Sequence, residues 1–178
     1  DPRDLLSSPP RRSAAVLTVS DTRTAAEDAS GDLLVTLLEG DGHRLAARDL
    51  VPDDVYRIRA VVSAWIADEA VDVIVTTGGT GFTGRDSTPE ALLPLFDKTI
   101  TGFGELFRQV SYEEIGPSTI QSRAVGGIAN ATLVFALPGS RNAVRTGWEK
   151  ILRPQLASTF RPCNLAELIP RFREGAPG

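Results

Sequence analysis

The sequence predicts an α/β domain in which a mostly parallel sheet is covered on both faces by helices. Three observations carry that expectation. Apolar runs of strand length alternate with segments of helical period through most of the chain. The strand candidates are almost continuously apolar rather than alternating, as expected of strands buried on both faces. The 178 residues, 42% hydrophobic and 24% charged, have the size and composition of one globular domain.

The first strand is read over Ala14-Ala15-Val16-Leu17-Thr18-Val19-Ser20 and is closed by Asp21. Ser30 is placed to cap a helix over Gly31–Glu39, with Leu33, Leu34, Leu37 and Leu38 on one face and Gly40 as its stop. Arg44–Val51 reads as a weaker second strand. Pro52-Asp53-Asp54 opens a long helix to about Ala70, in which Val55, Ile58, Val62, Trp65 and Ile66 repeat at three and four. Val71–Thr77 is the clearest strand, β-branched at most positions. Thr88 as cap and Pro89 in the first turn start a helix that Pro94 keeps short. Gly104–Ile115 reads as a helix and Ile120–Val125 as a shorter one. Thr132–Leu137 is a buried strand, and after Pro138-Gly139-Ser140 a helix runs over Asn142–Leu152 until Pro154 stops it. The domain is therefore set at 14–162. Residues 1–13 are expected to be a disordered leader, and 163–178 an irregular tail with a turn of helix at Leu165–Ile169. Because the chain has no methionine, Asp1 is not expected to be the natural first residue.

Composition excludes several chemistries. The net charge of −4 argues against a surface built for nucleic acid or anionic membranes. No apolar run approaches the ~18–20 residues of a membrane helix. A single cysteine, Cys163, rules out an intramolecular disulfide and suits a reducing, cytoplasmic setting. With His43 as the sole histidine, no Cys/His zinc site can be assembled, and a Ser-His-Asp triad would depend on a residue in a Gly-Asp-Gly turn that reads as an ordinary surface histidine. Chemistry is left to carboxylates, arginines, hydroxyls, backbone amides and an oxygen-bound metal. Trp65 and Trp148 read as core or subunit contacts, and Glu113-Glu114 as a solvated helix face.

In parallel sheets ligands bind beyond the carboxyl ends of the strands. That rule selects Asp21, Asp53, the loop after Thr77 and the loop after Leu137. The loop Thr77-Gly78-Gly79-Thr80-Gly81-Phe82-Thr83-Gly84-Arg85-Asp86-Ser87-Thr88 can turn tightly with its amides free for an anion. Gly79-x-Gly81-x-x-Gly84 matches a dinucleotide fingerprint in letters only, because it follows the wrong strand and the helix waits until Thr88. Gly79 to Gly84 also has Walker spacing, but Arg85-Asp86 replace the Lys-Ser/Thr that mechanism needs.

An aspartate beside bound phosphate poses an electrostatic problem. Two unit charges ~4 Å apart interact by about 4 kcal/mol at an effective dielectric of 20. Either Asp86 caps a helix away from the ligand, or a divalent cation such as magnesium bridges the two. Asp53-Asp54 at the same predicted edge favours the cation. Leu137-Pro138-Gly139-Ser140-Arg141-Asn142 reads by itself as a capped helix with surface arginines; as a second loop at the same sheet edge it also offers an anion site, to which Arg141 and Arg145 add charge.

These motifs, in this order, resemble the MoaB/MogA family of molybdenum cofactor biosynthesis proteins, and its MoaB branch most of all. The matching pieces are Leu17-Thr18-Val19-Ser20-Asp21, Val51-Pro52-Asp53-Asp54, Thr76-Thr77-Gly78-Gly79-Thr80-Gly81 and Arg85-Asp86-x-Thr88-Pro89-Glu90. Gly102-Phe103-Gly104-Glu105, Ser122-Arg123-Ala124-x-Gly126 and Leu137-Pro138-Gly139-Ser140 complete them. The resemblance implies a three-layer αβα fold and a homotrimer or homohexamer. It implies binding of molybdopterin, a pterin with a dithiolene and a terminal phosphate, and adenylation of that phosphate by ATP with Mg2+. By motif, Asp53 and Asp86 would be the catalytic and metal-holding acids. Ser20, Asp21, Gly78, Gly79, Thr80, Gly81 and Thr88 would belong to the substrate pocket, and Pro138, Gly139 and Ser140 would hold the pterin-phosphate end. The alternative is a non-catalytic molybdopterin-binding oligomer that stores or hands on the precursor.

Overall fold

The computed structural model describes residues 12–175; the expected leader, apart from Arg12 and Ser13, lies outside them. Six strands, β1 Ser13–Val19, β2 Arg44–Val51, β3 Val73–Thr77, β4 Lys98–Thr99, β5 Val125–Ala129 and β6 Thr132–Leu137, form one sheet in the order β2-β1-β3-β6-β5-β4. The first four strands of that order run parallel, while β5 is antiparallel to both β6 and β4. The helices are α1 Ala29–Gly40, α2 Val55–Ala67, α3 Thr88–Leu92, α4 Thr101–Ile115, α5 Arg141–Gly147 and α6 Arg153–Gln155.

Alternate residues of the central strands feed two cores. Val16, Val73, Val75, Leu133 and Phe135 join Leu34, Leu38, Phe103, Phe107 and Trp148 of α1, α4 and the segment after α5. Ala15, Leu17, Ile74 and Val134 join Ile58, Val62 and Leu92 of α2 and α3 on the other face. This is the three-layer arrangement, and it explains the unbroken apolar runs: no face of β1, β3 or β6 meets water. Each fully buried Leu, Ile or Phe contributes about 1.5–3 kcal/mol relative to exposure. No helix among the described residues is long and apolar enough to cross a membrane.

Several local expectations are corrected. Asp28, not Ser30, caps α1, accepting from Gly31 N at 3.0 Å, while its other oxygen takes Thr18 Oγ1 at 2.6 Å and Arg48 Nη2 at 3.1 Å. A buried carboxylate needs such partners, so tertiary pairing selected the cap. Asp54 caps α2 through Tyr56 N and Arg57 N, and the helix ends at Ala67. Thr88 does not cap α3; its hydroxyl donates to Gly78 O at 2.8 Å. The helix expected over Ile120–Val125 is absent: a 3-10 turn, Gly116–Gln121, leads into β5. Gly126 and Gly127 lie flat under Phe103, Phe135 and Phe96, and a two-residue turn with positive φ at Asn130 (47°) and Ala131 (64°) folds β5 onto β6. Pro154 does not stop the last helix, because a π turn over Trp148–Leu152 places it in the first turn of α6, where its missing N–H is harmless. The tail is less separate than expected: Ala166 is fully buried, and Leu165, Ile169 and Phe172 pack on the first core. His43 is half-buried, edge-on to Trp148 at 5.9 Å, and its Nδ1 accepts from Arg12 N at 3.3 Å.

Candidate functional site

The register of the three central parallel strands brings their carboxyl ends to one level, with Thr18 beside Thr77 and Thr77 beside Leu137. The loops that follow therefore meet at one edge. Gly78 N donates to Leu137 O at 2.9 Å, and Thr77 Oγ1 donates to Pro138 O at 2.9 Å. Gly78 (φ 104°) and Gly79 (φ 72°) turn the chain back on itself in conformations that side chains resist. A Cβ on Gly78 would strike the carbonyl oxygen of Val19, and one on Gly79 would meet Thr88 Oγ1 and lie 2.9 Å from Asp53 Oδ2.

Around this edge lies an open cavity of about 630 Å³. Ser20, Gly78, Gly79, Thr80, Gly81, Pro138, Gly139 and Ser140 line it, together with Asp86. The sequence-selected residues on the walls thus come from three separate loops. Ser20 Oγ accepts from Arg23 N at 3.0 Å and Thr22 N at 3.3 Å, holding the first loop in a tight turn. Ser140 Oγ caps α5 by accepting from Ala143 N at 3.1 Å. Thr88, Asp21 and Asp53 do not line the cavity; they stand behind it. Thr88 is fully buried and bonds both glycines, through Oγ1 to Gly78 O and through N to Gly79 O.

The carboxylates form a layered group. Asp21 takes Arg85 on both oxygens (2.8 and 2.9 Å) and also accepts from Asp53 N at 2.9 Å. Arg85 first and the Asp53 amide second pull its carboxyl down to about 2. Asp53 is 8% exposed and receives Ser87 Oγ at 2.6 Å and Ser87 N at 3.0 Å on Oδ1. Burial, reinforced by the like charges of Asp86 and Asp21, raises its pKa despite the two Ser87 bonds. Asp86 Oδ2 accepts from Thr83 N at 2.9 Å and Thr83 Oγ1 at 2.7 Å, and a Cβ on Gly81 would lie 2.7 Å from it. Asp53 Oδ2 and Asp86 Oδ1 accept no hydrogen bond within the described residues.

This donor set fits magnesium. Two hard carboxylates, each with a free oxygen and mutually repelling, suit a cation that also takes substrate phosphates and water. No group of three or more His, Cys, Asp or Glu that could cage a metal occurs among the described residues, so the ligand would complete the coordination.

The cations differ from expectation. Arg141 and Arg145 do not line the cavity, and Arg145 pairs with Glu149 one turn on at 2.9 Å. Arg23 is the positive side chain on the wall, spanning Ser30 Oγ (3.1 Å) and Gly139 O (3.1 Å) and so tying two of the loops together. Its one sequence signal was its place three residues after Ser20. Glu114 is exposed, as expected of a solvated face, and also lines the cavity, accepting from Thr146 Oγ1 and Asn142 Nδ2 at 2.9 Å. These bonds, Asn142 first, lower its pKa. Nothing local marked Glu114, since α5 supplies its partners across the fold.

Known proteins resemble this chain in sequence and in fold. Residues 15–158 match the family model described as "Probable molybdopterin binding domain". Molybdenum cofactor biosynthesis protein B of Escherichia coli (strain K12) is 55% identical over 150 residues, which cover 84% of this chain and 88% of that protein. A crystal structure of molybdenum cofactor biosynthesis protein B superposes with a TM-score of 0.82 at 46% identity, covering 84% of this chain and 94% of that one. The tungsten cofactor synthesizing protein MoaB from Pyrococcus furiosus does so with a TM-score of 0.72 at 42% identity, covering 81% and 92%. With most of its length matched by a family model and by relatives of this similarity, the chain belongs to the MoaB/MogA family of molybdenum cofactor biosynthesis proteins, built on a molybdopterin-binding domain.

Proposed function

We propose that the protein transfers AMP from ATP to the terminal phosphate of molybdopterin. The observation that carries this reading is the placement of two partly unsatisfied carboxylates against the glycine loop, Asp86 on the cavity wall beside Gly81 and Asp53 behind it beside Gly79. A phosphate oxygen of the pterin attacks the α-phosphorus of ATP; the new P–O–P bond forms as the bond to the β-phosphate oxygen breaks, and pyrophosphate leaves. Such a transfer needs alignment and charge compensation more than a protein nucleophile, which suits walls of glycine, hydroxyl and amide groups. Gly78–Gly81 present a backbone against which a triphosphate can lie without side-chain obstruction. Arg23 offers its charge to phosphate oxygens, and Ser20 and the Pro138-Gly139-Ser140 turn hold the pterin-phosphate end. Mg2+, held by Asp53 and Asp86, would supply charge neutralisation between the carboxylates and the phosphates. Phe107 and Ile115, with Ser111, Glu114 and Asn142, add apolar and hydrogen-bonding surface on the cavity wall for the pterin ring.

Incubation with molybdopterin, ATP and Mg2+ tests this reading, with adenylated product resolved by chromatography. Wild type is expected to form product, and Asp86→Asn to bind pterin without turnover. Pterin binding with no product from wild type would leave a non-catalytic carrier instead. An Asp86→Asn variant with wild-type rates would remove the metal role given to Asp86.

A further inference from the structure

The turn Phe82–Arg85 is exposed and carries no packed apolar anchor, yet it leads into Asp86, whose carboxylate lies against Gly81 as that of Asp53 lies against Gly79. Within the turn, bonds are local: Asp86 N donates to Thr83 O at 3.0 Å and Thr83 returns two bonds to the Asp86 carboxylate. From outside, the turn is tied at Arg85, which pairs with both oxygens of Asp21, and at its two ends by Arg123. Arg123 lies between the 3-10 turn Gly116–Gln121 and β5, and its backbone N donates to Thr80 O at 3.0 Å. Its guanidinium donates through Nε to Gly81 O at 2.9 Å, through Nη2 to Asp86 O at 3.2 Å, and through Nη1 to the Glu90 carboxylate on α3. Its Cζ also sits 5.2 Å from the centre of the Phe82 ring. Arg108 Nη1 holds the next carbonyl, Ala124 O, at 3.1 Å, fixing the segment that bears Arg123 to α4.

We infer that Arg123 is a positioning residue: its planar fork grips both ends of the Gly81–Asp86 turn and holds Asp86 where it can share a cation with Asp53. This rests on the adenylylation reading above. The geometry separates this role from simple charge. A lysine would keep the positive charge near Glu90 but cannot place donors on Gly81 O, Asp86 O and Glu90 at once. Without the fork, the Asp86 carboxylate keeps only its local bonds to Thr83, and nothing else bonds its main-chain carbonyl among the described residues. Outer partners that orient a metal-holding group typically alter metal affinity by about 10–100-fold.

The test titrates wild type, Arg123→Ala and Arg123→Lys with ATP in the presence of Mn2+, reading bound metal by electron paramagnetic resonance. A parallel titration uses ATP with chelator, and circular dichroism verifies that each variant is folded. Both variants are expected to lose roughly 10–100-fold in metal-dependent affinity, with metal-free ATP binding unchanged. Arg123→Lys at wild-type affinity would overturn the inference, since charge alone would then suffice. Equal losses with and without metal would also overturn it, in favour of a direct phosphate contact or a general loss of structure. Absence of metal-dependent ATP binding in wild type would overturn the adenylylation reading itself, a result separate from either of those. If Arg123→Ala fails to fold, Arg123→Lys, which keeps the aliphatic stem and the charge, decides the matter.

Discussion

Gly78 is the point where the glycine loop presses on the end of β1, and replacing it with alanine should show how tightly the site is built. Its φ of 104° is one that an alanine rarely adopts, and its new Cβ would overlap the backbone carbonyl oxygen of Val19. A side chain forced into such a conformation costs about 1–3 kcal/mol. The overlap adds to this, because Val19 belongs to a buried strand paired on both sides and cannot recede. Stiffening of the unfolded chain returns only about 0.4–1 kcal/mol. The net expectation is a loss of about 2–4 kcal/mol, or roughly 4–16 °C in Tm for a domain of this size. Gly84 in the same loop is the control: a Cβ there meets nothing within 4 Å, and its φ is not in the positive range. Gly84→Ala should therefore be neutral or more stable by about 0.4–1 kcal/mol. Urea unfolding followed by fluorescence of the buried Trp148 measures both. Gly78→Ala with wild-type stability would refute the close approach of loop and strand on which the site rests.

Other expectations concern the cavity wall, a titrating side chain and an exposed face. Arg23→Gln removes the positive side chain from the wall and a charged hydrogen bond of about 1.5–3 kcal/mol, so molybdopterin should bind about 10-fold or more weakly by calorimetry; unchanged affinity would remove Arg23 from the phosphate site. His43 is held below its ordinary value of 6.5, chiefly by burial. The folded state therefore takes up its proton less readily, and this stability is present above pH 6.5 and lost as pH falls below it. Urea unfolding between pH 7.5 and 5.5 (~2 pH units of span) should show a steeper loss in wild type than in His43→Asn; equal slopes would contradict it. Leu106, Tyr112 and Ile120 are exposed on α4 and the turn after it, Ile120 by 77%. If the homotrimer or homohexamer that the sequence resemblance implies buries these side chains, Ile120→Asp lowers the mass seen by light scattering; an unchanged mass would place any contact elsewhere.

The sheet was legible because its signals are local and repeated. Val73–Thr77 and Thr132–Leu137 are β-branched or apolar at nearly every position, and burial on both faces leaves such runs no other reading. The loops at the carboxyl ends were legible for a related reason, since glycines and prolines mark where a chain must turn. What stayed hidden depends on residues far apart in sequence. Asp28 displaced Ser30 as a cap because Thr18 and Arg48 needed a buried partner. β5 looked unlike a strand because its glycines make room for Phe96, Phe103 and Phe135, which come from elsewhere. Arg23 has no marked spacing, and Arg123 stands in a matching motif that gives it no role; their contacts are to carbonyls 116 and 42 residues away. Motif selects Asp53 and Asp86 as candidates, but that Asp53 stands behind the glycines while Asp86 lines the cavity is a fact of packing alone.

Anomalous diffraction from crystals soaked with ATP and Mn2+ tests the central claim most directly. The account expects a metal peak bonded to oxygens of both Asp53 and Asp86, with the triphosphate lying along Gly78–Gly81. A peak carried by ATP alone, distant from either carboxylate, would contradict it.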